Sequence, residues 1–227
     1  MLETAVIGSN GLIGSQVVKF FRPTLTFNSN NIHQLPKHQY SKVIVAAPSG
    51  NRRQAEADPA ADRTNIDLLI DQLKQTPIET IVLIGTIDSI VYGDTHYGRN
   101  RKLLEDFVRS TFPDSYVLRL CTLIGTTIKK NVLYDLKHGQ YLDSINLEST
   151  QQWYPLSSLE QDINRAIYNK TRDLTLVSEP IKNKEIVDRF FPNCSIGVVS
   201  GTPLCYNIAP VYFSKEEIFD EMAKYLK

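Results

Sequence analysis

Three glycines within seven residues, Gly8-Ser9-Asn10-Gly11-Leu12-Ile13-Gly14, constrain this chain more than any other feature. They lie between a short apolar run, Ala5-Val6-Ile7, and a segment from Gln16 to Phe21 whose apolar residues recur at helical spacing. A strand, a glycine turn and a helix start in that order form a phosphate cradle. Gly8 permits the tight turn, Gly11 lets backbone approach a pyrophosphate, and Gly14 lets the helix pack closely on the strand. The helix start adds free N–H groups and a partial positive charge. A ligand-free glycine turn would be spelled the same way, and the position directly after the first strand is what points to a dinucleotide.

The rest of the chain gives that turn a sheet to sit on. Strands are expected at Thr4–Ile7, Leu25–Phe27, Val43–Ala47, Ile81–Ile84, Tyr116–Leu120 and Leu174–Val177. Most are continuous apolar runs, as suits strands covered on both faces. Helices are expected between them at 59–75, 100–110 and 156–168, each with an apolar stripe and the first two closed by Pro77 and Pro113. Such alternation implies an α/β fold, a Rossmann-type doubly wound parallel sheet. Residues 126–155 and 181–227 break the alternation and are expected to form a small C-terminal substrate lobe. The dinucleotide-binding core then spans 1–125, with 156–180 returning to the sheet.

Composition narrows the function classes. Lys plus Arg equals Asp plus Glu at 25 each, which argues against a nucleic-acid or anionic-membrane partner. No apolar run approaches the ~18 residues of a membrane span. No secretory signal is recognisable, and Cys121, Cys194 and Cys205 lack metal-ligand spacing, as do the four histidines. The expectation is a soluble cytoplasmic protein without a metal.

A second group of residues carries chemistry. The strand at Ile81–Ile84 runs into Gly85-Thr86-Ile87-Asp88-Ser89, and Tyr97 opens the next helix with Arg101 one turn on. A strand-end hydroxyl and a helix-start tyrosine can converge beside a nicotinamide. Tyr97 then serves as general acid or base, Thr86 orients the reacting oxygen, and Arg101 lowers the tyrosine pKa and contacts the ribose. Tyrosine, threonine and arginine are also ordinary residues at sheet edges.

The ordered set resembles the extended branch of the short-chain dehydrogenase/reductase superfamily, the NAD(P)-dependent epimerase/dehydratase family. Gly8 to Gly14 matches its cofactor loop, which adds Asn10, Leu12 and Ile13 to the cofactor contacts. Val43-Ile44-Val45-Ala46-Ala47 resembles the segment beside the adenosine ribose, so Ala46 and Ala47 join them. Asn65 resembles the asparagine of the helix before the fourth strand. Leu118-Arg119-Leu120 with Gly125, and Trp153-Tyr154-Pro155-Leu156, resemble later parts of the same frame. The resemblance implies NAD or NADP, a nucleotide sugar or related carbohydrate as substrate, and a homodimer through the 61–73 and 101–110 helices.

The departures fall where the chemistry lies. The family motif is Tyr-x-x-x-Lys, whereas this chain has Tyr97-Gly98-Arg99-Asn100-Arg101. Arginine keeps the charge but is forked and effectively never deprotonated. Tyr97 follows Thr86 by only eleven residues, so the intervening loop is short, and the substrate lobe is reduced. An alternative alignment puts Asp88 in the place of Thr86. The second strand ends in Asn28-Ser29-Asn30, with neither an acid for a 2′-hydroxyl nor an arginine for a 2′-phosphate. Asn28 can bond either ribose, and Arg52 and Arg53 either reach a 2′-phosphate or lie in a solvated loop.

Other residues stay open between two roles. Lys129-Lys130 is a diphosphate contact or a solvated turn. Trp153-Tyr154 walls a sugar pocket or fills core, and the stripe Ile218, Phe219, Met222, Ala223, Leu226 docks a partner or packs on its own domain. Two functions compete: an enzyme using Tyr97, and a catalytically impaired NAD(P)-binding sensor or scaffold of the same fold.

Overall fold

The computed structural model describes residues 2–197 and 202–227. The alternation becomes β1 (Glu3–Ile7), α1 (Leu12–Phe21), β2 (Leu25–Phe27), β3 (Tyr40–Val45), α2 (Arg52–Ala57) and α3 (Pro59–Lys74). Then come β4 (Ile78–Thr86), α4 (Asp88–Val91), α5 (His96–Thr111), β5 (Ser115–Leu120), β6 (Thr122–Ile124) and α6 (Val132–His138). β7 (Thr150–Gln151), β8 (Trp153–Pro155), α7 (Leu159–Tyr168), β9 (Asp173–Leu176), β10 (Ile181–Lys182), α8 (Asn183–Phe190) and α9 (Lys215–Leu226) complete the chain.

Six strands form one sheet in the order β2-β1-β3-β4-β5-β9, with β1–β2, β1–β3 and β3–β4 pairing in parallel. The winding direction changes between β1 and β3. In open α/β sheets the crevice beyond the carboxyl ends of such a strand pair is where ligands bind. Ile66, Leu69, Ile70 and Leu73 recur at helical spacing on α3 and bury against Val43, Val45 and Ile81 of the sheet. Asp58 caps that helix by accepting from Ala61 N–H, with Pro59 as its first residue. On α5, Leu104 and Val108 join the same core, yet Tyr97, Asn100, Arg101 and Glu105 are buried on that helix too.

The chain divides into two compact units, residues 1–119 with 159–175 and residues 120–158 with 176–227. These borders differ from the expected 125, 156 and 180. The reason is β6, which pairs in parallel with β8 and so belongs with the second unit. Within that unit Trp153 and Tyr154 are fully buried as core. Ile218 and Met222 of α9 are also fully buried, α9 packs on β6 and β8, and Phe219 meets Phe190 edge to face. The stripe on α9 therefore covers its own unit and offers no docking face. Lys129 and Lys130 are exposed after β6.

One expectation is corrected in the first unit. Arg52 and Arg53 lie in a helix, α2, capped by Asn51 accepting from Gln54 N–H, rather than in a solvated loop. Among the described residues no helix is long and apolar enough to cross a membrane, and no cluster of His, Cys, Asp or Glu is arranged to hold a metal.

Candidate functional site

The glycine turn sits at the switch between β1 and β3. Gly8 has φ +83°, and a Cβ there would lie 2.4 Å from the Ala46 carbonyl oxygen just past β3. A Cβ on Gly14 would lie 2.1 Å from the Gly8 oxygen. Both are impossible contacts, so the turn can be this tight only with glycine. Gly8 and Ser9 N–H donate to the Phe27 carbonyl at 2.8 and 3.1 Å, tying the turn to the end of β2. Ala46 N–H donates to the Ile7 carbonyl at 2.8 Å, which fixes the other side.

The start of α1 is unusual in what it lacks. Gly11 caps it with no side-chain hydrogen bond, and the first turn holds no acidic residue. Nothing in the side chains offsets the helix dipole there. Asn10 and Gly11 are exposed, while Leu12 and Ile13 are half-buried. Asn28 is held in its own turn: its side-chain oxygen accepts from Asn30 N–H at 2.9 Å. Asn65 is exposed on α3 and is not gathered with the others; the buried amide nearby is Asn100 on α5.

The structure brings Thr86, Tyr97 and Arg101 together. Tyr97 is 5% exposed. The Arg101 guanidinium lies over its ring, 4.3 Å from the centroid, and Arg101 and Thr86 both favour its ionised form. Gly50, in the loop after β3, lies beside the Tyr97 hydroxyl; a Cβ on Gly50 would stand 3.9 Å from it. The loop from Ala46 to Gly50 therefore runs from the glycine cradle to the tyrosine. Burial, joined by the Asp88 carboxylate, raises the Tyr97 pKa and outweighs the opposing pull of Arg101 and Thr86.

Arg101 is already engaged. Its guanidinium meets both oxygens of Asp62 at 2.9 and 3.0 Å and donates to the Ser49 carbonyl at 2.8 Å. The two side chains are only 7% and 11% exposed. Asp62 also accepts from Asn100 at 2.8 Å. Only part of the arginine fork is left for a ribose. Arg52 is turned inward as well, pairing with Asp88 at 3.6 Å and stacking over the Tyr92 ring at 4.7 Å. Glu56 accepts the Tyr97 backbone N–H at 2.8 Å. Slight desolvation acts upward on this carboxylate, but the N–H groups of Tyr97 and His96 prevail and hold its pKa below the ordinary value.

Four of these residues escaped the sequence reading. Asp62 pairs with Arg101 across 39 positions, and Glu56 reaches Tyr97 across 41; neither leaves a local signal. For Arg52 the sequence offers a 2′-phosphate contact or a solvated loop, and its pairing with Asp88 leaves no local signal. Glu105 was legible in principle, because Tyr97, Arg101 and Glu105 follow at four-residue steps on one helix face. It is 1% exposed, accepts from Ser89 at 2.7 Å, and pairs with Arg119 of β5 at 2.8 Å. Ser89 donates to the Thr86 carbonyl as well, so Glu105 braces the turn that carries Thr86.

No protein-family model matches the sequence, and no curated protein matches it significantly. Solved structures do match in fold. A dTDP-4-dehydrorhamnose reductase from Yersinia enterocolitica is similar with TM-score 0.71 at 14% identity, over 98% of this chain and 98% of that one. One from Bacillus anthracis, in complex with NADP, gives 0.63 at 15% over 92% and 85%. The Bordetella bronchiseptica enzyme WbmG, in complex with NAD, gives 0.66 at 14% over 98% and 88%. The Rossmann-type α/β fold implied by the sequence resemblance is the fold these structures share.

Proposed function

We propose that this chain is an NAD(P)-dependent oxidoreductase or epimerase acting on a nucleotide sugar or related carbohydrate, with Tyr97 as general acid/base. The carrying observation is the single path from Gly8 through Ala46–Gly50 to the Tyr97 hydroxyl, all in one compact unit. The cradle fits a pyrophosphate: glycine-only contacts leave no side chain in the way, and the start of α1 has no internal anion. Gly8, Asn10, Gly11, Leu12, Ile13 and Gly14 hold the pyrophosphate, and Asn28, Ala46 and Ala47 border the adenosine ribose. Bound NAD(P) supplies hydride transfer. Tyr97 passes a proton to or from the substrate oxygen, Thr86 holds that oxygen in line, and Arg101 steadies the phenol. Two similar structures are dTDP-4-dehydrorhamnose reductases, and two hold NADP or NAD, which supports the substrate and cofactor classes. A homodimer through the outer faces of α3 and α5, where Leu68 is 55% exposed, belongs to the same proposal.

The test is turnover with NAD(H) or NADP(H) and a panel of nucleotide sugars, followed by nicotinamide absorbance and product composition. Reaction that disappears in Tyr97→Phe supports the proposal. Cofactor binding with no turnover on any candidate favours the sensor or scaffold. One observation favours that second function: Arg101, the substitute for the family's lysine, is bound to Asp62 and Ser49.

A further inference from the structure

We propose that Asp62 is a positioning residue that fixes Arg101 over Tyr97 and offsets part of its charge, keeping Tyr97 in the phenol form that donates a proton to a carbonyl. This rests on the Tyr97 role above. The two oxygens of Asp62 grip the edge of the guanidinium, and the Ser49 carbonyl holds one nitrogen from a second direction. The planar group thus has one orientation, face-on to the Tyr97 ring. A lysine ammonium, a point charge on a flexible stem, would lack the rigid planar fork that fixes this orientation. Because the carboxylate is buried with its partner, it offsets part of the positive charge that the tyrosine faces.

The other groups around Tyr97 act in both directions. Asp88 of α4 adds negative charge on another side, partly countered by Arg52 of α2. Glu56 of α2 holds the Tyr97 backbone N–H, and His96 precedes it on α5. Thr86 of β4 and Arg101 pull the other way and favour the phenolate. Burial, joined by Asp88, prevails over that pull, so the phenol form is kept, with a proton to give. In the step, the phenol O–H bond breaks and its proton joins the carbonyl oxygen. A hydride from a reduced nicotinamide completes the new C–H bond, giving an alcohol and an oxidised nicotinamide, and water reprotonates the phenolate.

The test follows Tyr97 ionisation by NMR of protein labelled at the tyrosine ζ-carbon, with the resonance assigned by its loss in Tyr97→Phe. Asp62→Asn keeps the shape and removes the charge, so Tyr97 is expected to ionise at lower pH than in the wild type. Arg101→Gln should move it to higher pH. An unchanged or higher ionisation in Asp62→Asn overturns the inference. If that variant does not fold, the double variant Asp62→Asn/Arg101→Gln should ionise at or above wild type, and a lower value overturns it. The ionisation is read without cofactor or substrate. Absent turnover with these shifts present therefore defeats the enzyme proposal alone, and absent shifts defeat this inference alone.

Discussion

The glycine cradle and the tyrosine cluster lie in the same unit, at the same edge of one sheet, and are built on opposite principles. The cradle is made of backbone, with glycines pressed against carbonyls and a helix start that no side chain caps. Gly8, Ser9 and Gly11 N–H are tied to backbone carbonyls, and the helix start holds no acidic side chain. The cluster around Tyr97 is made of side chains that satisfy one another: Arg101 with Asp62, Arg52 with Asp88, Glu105 with Arg119. An open polar surface recruits a ligand, whereas a closed one holds a geometry and sets a proton's affinity. Binding and chemistry are thus separable here, and substitutions should separate them.

The largest expected effect is on chemistry. Tyr97→Phe should lower turnover by roughly 10²–10⁴-fold while leaving the cofactor dissociation constant unchanged, measured by steady-state kinetics beside calorimetric titration. Equal losses in both would erase the distinction between the two regions. Arg101→Ala leaves the Asp62 carboxylate buried without its cation and should cost about 3–5 kcal/mol in denaturant unfolding. Gly14→Ala should cost about 1–3 kcal/mol and abolish cofactor binding, because its Cβ would fall 2.1 Å from the Gly8 oxygen. A stable Gly14→Ala variant with intact binding would show the cradle to be loose.

The smallest effect is a pH dependence. The folded-state pKa of Glu56 lies below its unfolded value, so its contribution is present above about 4.5. That contribution is lost as pH falls through the folded pKa. Hydrogen-exchange protection at the start of α5, corrected for the intrinsic rate, should therefore fall on acidification below that range, and Glu56→Gln should remove the pH-dependent part.

The sheet was legible because its strands are continuous apolar runs between turn residues; β2 coincides with the expected Leu25–Phe27, and β5 extends the expected Tyr116–Leu120 by one residue. The cradle was legible because spacing and placement coincide. Helix α2 was not, since Arg52-Arg53-Gln54-Ala55-Glu56-Ala57 has no apolar stripe and buries only Ala55. It exists through the Asn51 cap and through what Arg52 and Glu56 reach elsewhere. The border near residue 120 was missed because parallel pairing of β6 with β8 joins segments some thirty residues apart. The Tyr-x-x-x-Arg departure was visible, but its consequence was not, since nothing local announces that Asp62 will meet Arg101. Asn65 shows the converse: a motif match whose side chain ends on the exposed face of α3.

Calorimetric titration of NADH and NADPH into the wild type, Gly14→Ala and Tyr97→Phe tests the central claim most directly. Saturable binding of at least one nucleotide by the wild type and by Tyr97→Phe, lost in Gly14→Ala, is the predicted result. Failure of the wild type to bind either nucleotide, or binding that survives Gly14→Ala, would contradict the account.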